Sequence, residues 1–315
     1  MLTRREWLSL TLATGVAAAL DRAWVAAQQP LISRAVPATG ERLPIVGLGS
    51  SATFSQVARK EDVTAIGEVF KALISGGGTV FDTAPGYGAS EQVAGRVAGD
   101  LGLTDKIFWA TKVNAAGFGG GSANPAAATA QLDQSFARLK KAKIDLIQVH
   151  NLGDVPTQLA LLKELKQQGR IRYIGVTTTF DQQYPEIIEI MKREPLDFIG
   201  VDYAVDAREV EQTILPVAQE RKIGVLSYQP FGRTRLWNRV SGQSVPDYAK
   251  EFDATTWAQF FIKFVASHPA ITVITPATSQ AKNMTDNLGG GRGRLPDAAM
   301  RKRMIATIDA LPGAR

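Results

Sequence analysis

The sequence predicts an α/β protein, a single (β/α)8 barrel of the TIM type behind an N-terminal signal peptide. Three observations predict it. From residue 42 onward, eight short apolar runs recur at intervals of about one βα unit. The stretches between them carry apolar residues at helical spacing. No G-x-G-x-x-G turn follows the first run, as it normally does in a doubly wound open sheet, because Gly47-Leu48-Gly49-Ser50-Ser51 breaks that spacing.

The first element is an address. Thr3-Arg4-Arg5-Glu6-Trp7-Leu8 is a twin-arginine pattern. The weakly apolar run from Leu8 to Leu20 is too short to span a bilayer, which takes about 20 residues. Trp24-Val25-Ala26-Ala27 offers small residues for cleavage after Ala27. The arginine pair and the modest hydrophobicity favour twin-arginine export over the general secretory route. The expected division is a signal peptide over residues 1–27 and the barrel over 28–315. The chain is then expected to fold in the cytoplasm, use the twin-arginine translocase as a transient partner, and reside in the periplasm or outside the cell.

Residues 31–43, turning at Ala38-Thr39-Gly40, suit a hairpin that closes the barrel bottom. The eight strands are expected at Pro44–Gly49, Thr79–Thr83, Ile107–Lys112, Ile144–His150, Arg172–Val176, Phe198–Asp202, Gly224–Tyr228 and Thr272–Thr275. Ala130, Leu132, Phe136 and Leu139, and likewise Leu159, Leu162 and Leu165, mark helix faces. Pro156, Pro185 and Pro216 fall near helix starts, where proline is tolerated. A last helix is expected over Asp297–Leu311. Two connections are long: Ala115–Pro125, with Gly117, Gly119, Gly120 and Gly121, and Pro230–Thr255. Long loops at the C-terminal ends of barrel strands are where function sits.

Composition narrows the chemistry. At 45% hydrophobic, the chain of 315 residues can bury a sizeable core. It has no cysteine, which removes disulfides, thiolate nucleophiles and Cys-metal sites. Two histidines, His150 and His268, argue against a multi-His metal site, and no metal is expected. A net charge of +6, scattered along the chain, gives little support to nucleic-acid binding. His268, before Pro269, reads as a surface residue.

Three strands end in residues foreign to an apolar interior: Asp82, Lys112 and His150. Side chains alternate along a strand, so each shares a face with an inward candidate two residues earlier, Val80, Ala110 and Gln148. The separations, 30 and 38 residues, are each about one βα unit, so the three are expected at equivalent height. A buried lysine costs several kcal/mol unless paired, and Asp82 is the natural partner. Tyr87 lies between Gly86 and Gly88, whose backbone freedom lets the ring turn back over the barrel mouth. A cation beside a phenol lowers its pKa, so Lys112 is expected to bring Tyr87 nearer neutral pH as a general acid.

These residues make the chain resemble the aldo-keto reductase family. The likeness is carried by Phe81-Asp82-Thr83-Ala84-Pro85-Gly86-Tyr87-Gly88-Ala89-Ser90-Glu91, by Ala110-Thr111-Lys112, and by Asp145-Leu146-Ile147-Gln148-Val149-His150-Asn151. It continues in Gly169-Arg170-Ile171-Arg172-Tyr173-Ile174-Gly175-Val176 and Ser227-Tyr228-Gln229-Pro230-Phe231-Gly232, and covers roughly residues 35–312. The resemblance implies an NADP(H)-dependent reductase of aldehydes or ketones, with NAD(H) the lesser alternative. Tyr87 is then the proton donor, Lys112 and Asp82 its pKa-lowering pair, and His150 the orienter of the substrate carbonyl. Tyr228 stacks on the nicotinamide.

The cofactor is expected to run past Gly49, Ser50, Thr177, Thr178 and Asp202. It continues along Gln229, Pro230, Phe231, Gly232 and Arg233, and ends at Thr278, Ser279, Asn283 and Asn287 before and within the next helix. The chain departs from the family at three places. Thr177-Thr178 stands where Ser-Asn is common after strand five, and Gly200 where Gln is common on strand six, so the usual carboxamide contacts are missing. Asp202 or Thr178 is left to take that part. Asn283 stands where an arginine often meets the 2′-phosphate, with Arg233 and Lys282 nearby. Ser51, Phe54, Asn114 and Trp237 are the expected substrate-pocket residues. The chain ends soon after its last helix, so an open site for a small carbonyl compound is expected.

Two other readings compete. One is a nucleotide-binding sensor or interaction subunit with little turnover, which the altered carboxamide contacts keep open and the complete Asp82, Tyr87, Lys112 and His150 set argues against. The other is a barrel lyase with Lys112 in a Schiff base, disfavoured by Asp82 and Tyr87.

Overall fold

A computed structural model describes residues 29–117 and 121–311. The expected signal peptide, its cleavage site, Gly119 and Gly120 lie outside the described residues. The hairpin forms as expected: β1 (Ser33–Ala35) pairs antiparallel with β2 (Arg42–Pro44). Eight parallel strands follow: β3 (Leu48–Gly49), β4 (Val80–Asp82), β5 (Phe108–Val113), β6 (Ile144–Val149), β7 (Ile171–Thr178), β8 (Phe198–Asp202), β9 (Gly224–Tyr228) and β10 (Val273–Ile274). Each pairs with the next in chain order. Bridges Val46↔Ile274 and Gly49↔Ala277 join the last strand to the first, so the sheet closes into a barrel.

The seam strands are shorter than expected. Pro44 belongs to the hairpin, and Ile45 N–H donates to Ile32 O, so only Leu48–Gly49 remains in the first barrel strand. His150 leaves strand β6 and opens a 3-10 turn, His150–Leu152.

Alternation sorts the side chains into two cores. Val80, Phe108, Ala110, Leu146, Tyr173, Phe198, Leu226 and Val273 fill the barrel, with Val36 and Leu43 of the hairpin region below them. The intervening residues Phe81, Trp109, Ile147, Ile174, Ile199 and Val225 face the helices. Those helices are α1 (Thr53–Arg59), α2 (Val63–Ser75), α3 (Ser90–Asp100), α4 (Pro125–Leu139), α5 (Val155–Gln167), α6 (Tyr184–Arg193), α7 (Ile214–Glu220), α8 (Arg235–Arg239), α9 (Trp257–Ala266), α10 (Ala281–Gly289) and α11 (Ala298–Asp309). Asn124 caps α4 and Asp154 caps α5, each accepting first-turn amide hydrogens. In α4 the buried alanine is Ala128, while Ala130 is exposed. The long Pro230–Thr255 connection is not structureless. It holds α8 and a 3-10 turn at Asp247–Phe252, which bury Leu236, Ala249 and Phe252.

His268 is half-buried rather than fully exposed. Its ring lies edge-on to Tyr203 at 6.0 Å and Nδ1 accepts from Ala270 N–H. Burial, with Arg301 adding to it, holds this imidazole below its usual pKa. Among the described residues no helix is long and apolar enough to cross a membrane, and no cluster of three or more His, Asp or Glu is placed to hold a metal ion.

Candidate active site

Strands β4, β5 and β6 place the acid, the lysine and the histidine at the C-terminal mouth. They do so as a staircase and not at one height. Asp82 pairs in register with Ala110, and Lys112 with Gln148, so each group sits two residues beyond its neighbour's partner. That stagger is what tilted barrel strands impose. Lys112 Nζ donates to Asp82 Oδ1 at 2.9 Å, to Asp82 Oδ2 at 2.7 Å and to the Thr83 carbonyl at 2.9 Å. The lysine side chain is 1% exposed, so all of its compensation comes from these partners.

Tyr87 is carried on a turn just past β4, where its N–H donates to Ala84 O. Gly88 supplies the left-handed step, φ +62°, and a Cβ there would also meet the Arg59 side chain. The Tyr87 ring centroid lies 5.4 Å from Lys112 Nζ, and the His150 ring stands edge-on to Tyr87 at 5.8 Å. The four expected residues therefore converge.

Their electrostatics differ from expectation in one respect. Burial lifts Tyr87 above the usual phenol value. Lys112 pulls the other way, while Asp82 and Asp202 push with burial, and the net shift is upward. Burial outweighs the pull of the lysine charge, so Tyr87 stays a protonated phenol. Burial opposes the charge on Lys112, but Asp82 outweighs it and holds the ammonium above its usual pKa. Burial, helped by Lys112, pushes His150 down to about 3, so its imidazole is neutral.

The mouth opens into a cleft of about 920 Å³. Of the expected cofactor contacts, Gly49, Thr177, Tyr228, Gln229, Pro230, Phe231 and Arg233 line it, as do Thr278, Ser279, Asn283 and Asn287 at its other end. Ser51 and Trp237 line it too.

The remaining expected contacts lie elsewhere. Phe54 is fully buried in an aromatic stack with Phe70 and Phe81, facing the helices. Asn114 lies outside the cleft, beneath Gly153, where a Cβ would sit 2.8 Å from its Oδ1. Thr178 lies on the helix-facing side of β7, and its hydroxyl donates to Gln183 Oε1 at 2.5 Å. Ser50 is fully buried, its N–H donating to Asp82 O, and Gly232 packs against Asp206. Asp202 is not among the residues lining the cleft, and its Oδ2 lies 3.7 Å from Arg233 Nη2.

Tyr228 reaches the cleft but is sunk into the barrel floor. Its ring fills the space beside Gly200, where a Cβ would come within 2.4 Å of it. Its hydroxyl donates to Gln148 Oε1 at 3.1 Å and to Asp82 Oδ1 at 3.4 Å, and Lys112 Nζ lies 5.2 Å from its ring centroid.

Sequence reasoning missed Asn151, Thr179, Phe180, Gln280 and Asp286, all of which line the cleft. The first was discoverable, since it directly follows His150. Asp286 accepts from Thr256 and Gln259, and Lys282 is exposed outside the lining. Lys112 and Arg233 are therefore the cations that line the cleft among the described residues.

Known proteins share this chain's sequence pattern and fold. The chain is 31% identical over 225 residues to the aldo-keto reductase YhdN of Bacillus subtilis, covering 68% of this chain and 65% of that relative. It is 26% identical over 271 residues to a probable aldo-keto reductase 1 of Glycine max, covering 74% of this chain and 77% of that protein. Its fold is similar to the holo form of the aldo-keto reductase AKR11C1 from Bacillus halodurans, with TM-score 0.71 and 22% identity over 88% of this chain and 96% of that one. It is equally similar to an aldo-keto reductase from Klebsiella pneumoniae in complex with NADPH, with TM-score 0.71 and 22% identity over 91% and 98% of the two chains. The sequence pattern of the Aldo/keto reductase family matches residues 45–307, and the chain belongs to that family.

Proposed function

We propose that the protein reduces an aldehyde or ketone to an alcohol, using a nicotinamide dinucleotide, NADP(H) before NAD(H). The observation that carries this reading is the buried Lys112–Asp82 pair beneath Tyr87, with a neutral His150 edge-on to the phenol. The residues present suit a dinucleotide. The cleft has room for one. Arg233 offers a cation at its rim, and the Asn151 Oδ1 atom is buried in its wall with no hydrogen-bond partner. NADP(H) is favoured by the Klebsiella structure with NADPH, whereas Asn283 and Asp286 supply no cation for a 2′-phosphate.

The chemistry such a cofactor supplies when bound is a hydride for the carbonyl carbon. This chain's own residues do the rest. Neutral His150 can donate one N–H toward the carbonyl oxygen and so orient it. Tyr87, kept protonated by burial, gives its phenol proton to the oxygen as negative charge develops there. Lys112 stabilises the phenolate left behind, and Asp82 holds Lys112 in place.

The test is titration of the protein with NADPH and NADH by its own fluorescence, followed by a panel of aldehydes. Tyr87→Phe is expected to lower kcat by roughly 10²–10⁴-fold while leaving dinucleotide affinity unchanged. Turnover unaffected by Tyr87→Phe would sink the reading.

A further inference from the structure

The turn after β6 is built in a conformation that ordinary residues avoid. Asn151 has φ +52°, Leu152 +54° and Asp154 +41°. Three non-glycine residues out of four in or near the left-handed region persist only where the surroundings hold them there. Two neighbours hold Asn151. Its N–H donates to Thr177 Oγ1 at 3.0 Å, and Gln183 Nε2 donates to its carbonyl at 3.2 Å. Gln183 is in turn held by Thr178 Oγ1. The Thr177-Thr178 pair that departs from the family pattern therefore anchors this turn from the adjacent strand. The turn sets the Asn151 side chain in the cleft wall, next to His150, with Oδ1 buried and lacking a hydrogen-bond partner.

A buried amide oxygen without a partner is costly, and a donor from a bound ligand would relieve it. A primary carboxamide supplies such a donor, and the nicotinamide ring of the proposed cofactor carries one. We propose that Asn151 is the residue that binds the nicotinamide carboxamide, its Oδ1 accepting a carboxamide N–H. The contact that is missing at Thr178 and Gly200 is thereby supplied from the neighbouring loop. This assignment rests on the dinucleotide reading above.

The test compares two ligands and two variants. The ligands are NADP⁺ and its 3-acetylpyridine analogue, in which an acetyl group without N–H donors replaces the carboxamide. Affinities are read by quenching of protein fluorescence, with no substrate present. The wild-type protein is expected to prefer NADP⁺ by about tenfold, the worth of one buried hydrogen bond. Asn151→Gly keeps the left-handed turn and removes the amide, so it is expected to fold and to lose that preference. Asn151→Asp keeps an acceptor oxygen and is expected to retain it. A preference unchanged in Asn151→Gly would overturn the proposal while leaving the reductase reading intact. The same unchanged preference with a raised KM for the carbonyl compound would overturn it in favour of a substrate contact. Failure to bind either dinucleotide would overturn both.

Discussion

Beside the cleft, burial decides the charge of Asp202. Its carboxyl lies under the Arg233 loop with Oδ1 unpartnered. Burial pushes its pKa up to about 7, and Arg233 only partly offsets this. The folded-state pKa is raised, so this residue's contribution to stability is fully present below about pH 4. It is lost as pH rises through about 7. The loss is of the order of 4 kcal/mol, at about 1.4 kcal/mol for each of roughly three pKa units. We expect the urea midpoint of the wild-type protein to fall between pH 4.5 and pH 8, and Asp202→Asn to flatten that fall. Equal slopes in the two proteins would show that Arg233 compensates the charge fully. The same rule keeps His150 neutral and Tyr87 protonated, so neither should produce a titration limb near pH 6.5 in the reductive reaction.

At the scale of elements, β8 and β9 are matched through one missing side chain. Gly200 leaves the space that the Tyr228 ring occupies, and the ring's hydroxyl then reaches Gln148 and Asp82. Gly200→Ala puts a Cβ within 2.4 Å of that ring and must displace it. We expect a loss of roughly 1–3 kcal/mol, as for overpacked cores, with a changed near-ultraviolet circular dichroism signal. A Gly200→Ala protein with wild-type stability and spectrum would show that the ring has a second resting place. Strand β9 was legible in the sequence, and the resemblance put Tyr228 at the site. The depth of the ring was not legible, because that depends on Gly200, two residues before the β8 residue paired with Tyr228, and not on Tyr228 itself. Thr178 makes the same point. Its position on β7 was readable, yet it lies on the helix-facing side and serves Gln183.

For the whole molecule, the decisive event is closure. Strands β3 and β10 are two residues each, and the backbone comes close there because Gly47 and Gly49 carry no side chain. A Cβ on Gly49 would lie 2.5 Å from Thr275 O, and one on Gly47 2.7 Å from Val80 O. Gly49→Val is expected to force the seam open. It should cost roughly 3 kcal/mol or more, with hydrogen-exchange protection lost first at the Gly47 and Gly49 amides. Exchange that stays uniform around the barrel would show that the seam is not its weak point.

Local pattern was enough for much of this protein. Short apolar runs recurring at about one βα unit predicted eight strands, and the spacing of Asp82, Tyr87, Lys112 and His150 predicted a site that the barrel does assemble. Those features depend on neighbours along the chain and on one repeated βα unit. The signal peptide read from residues 1–27 is likewise a reading of sequence alone. Only tertiary structure decided that Tyr87 is a protonated phenol, that Phe54 belongs to the helix layer, and that Tyr228 lies beside Gly200. It alone left the Asn151 Oδ1 buried in the cleft wall without a partner. The physical reason is that desolvation and cross-strand contact are set by residues tens of positions away, which periodicity does not carry.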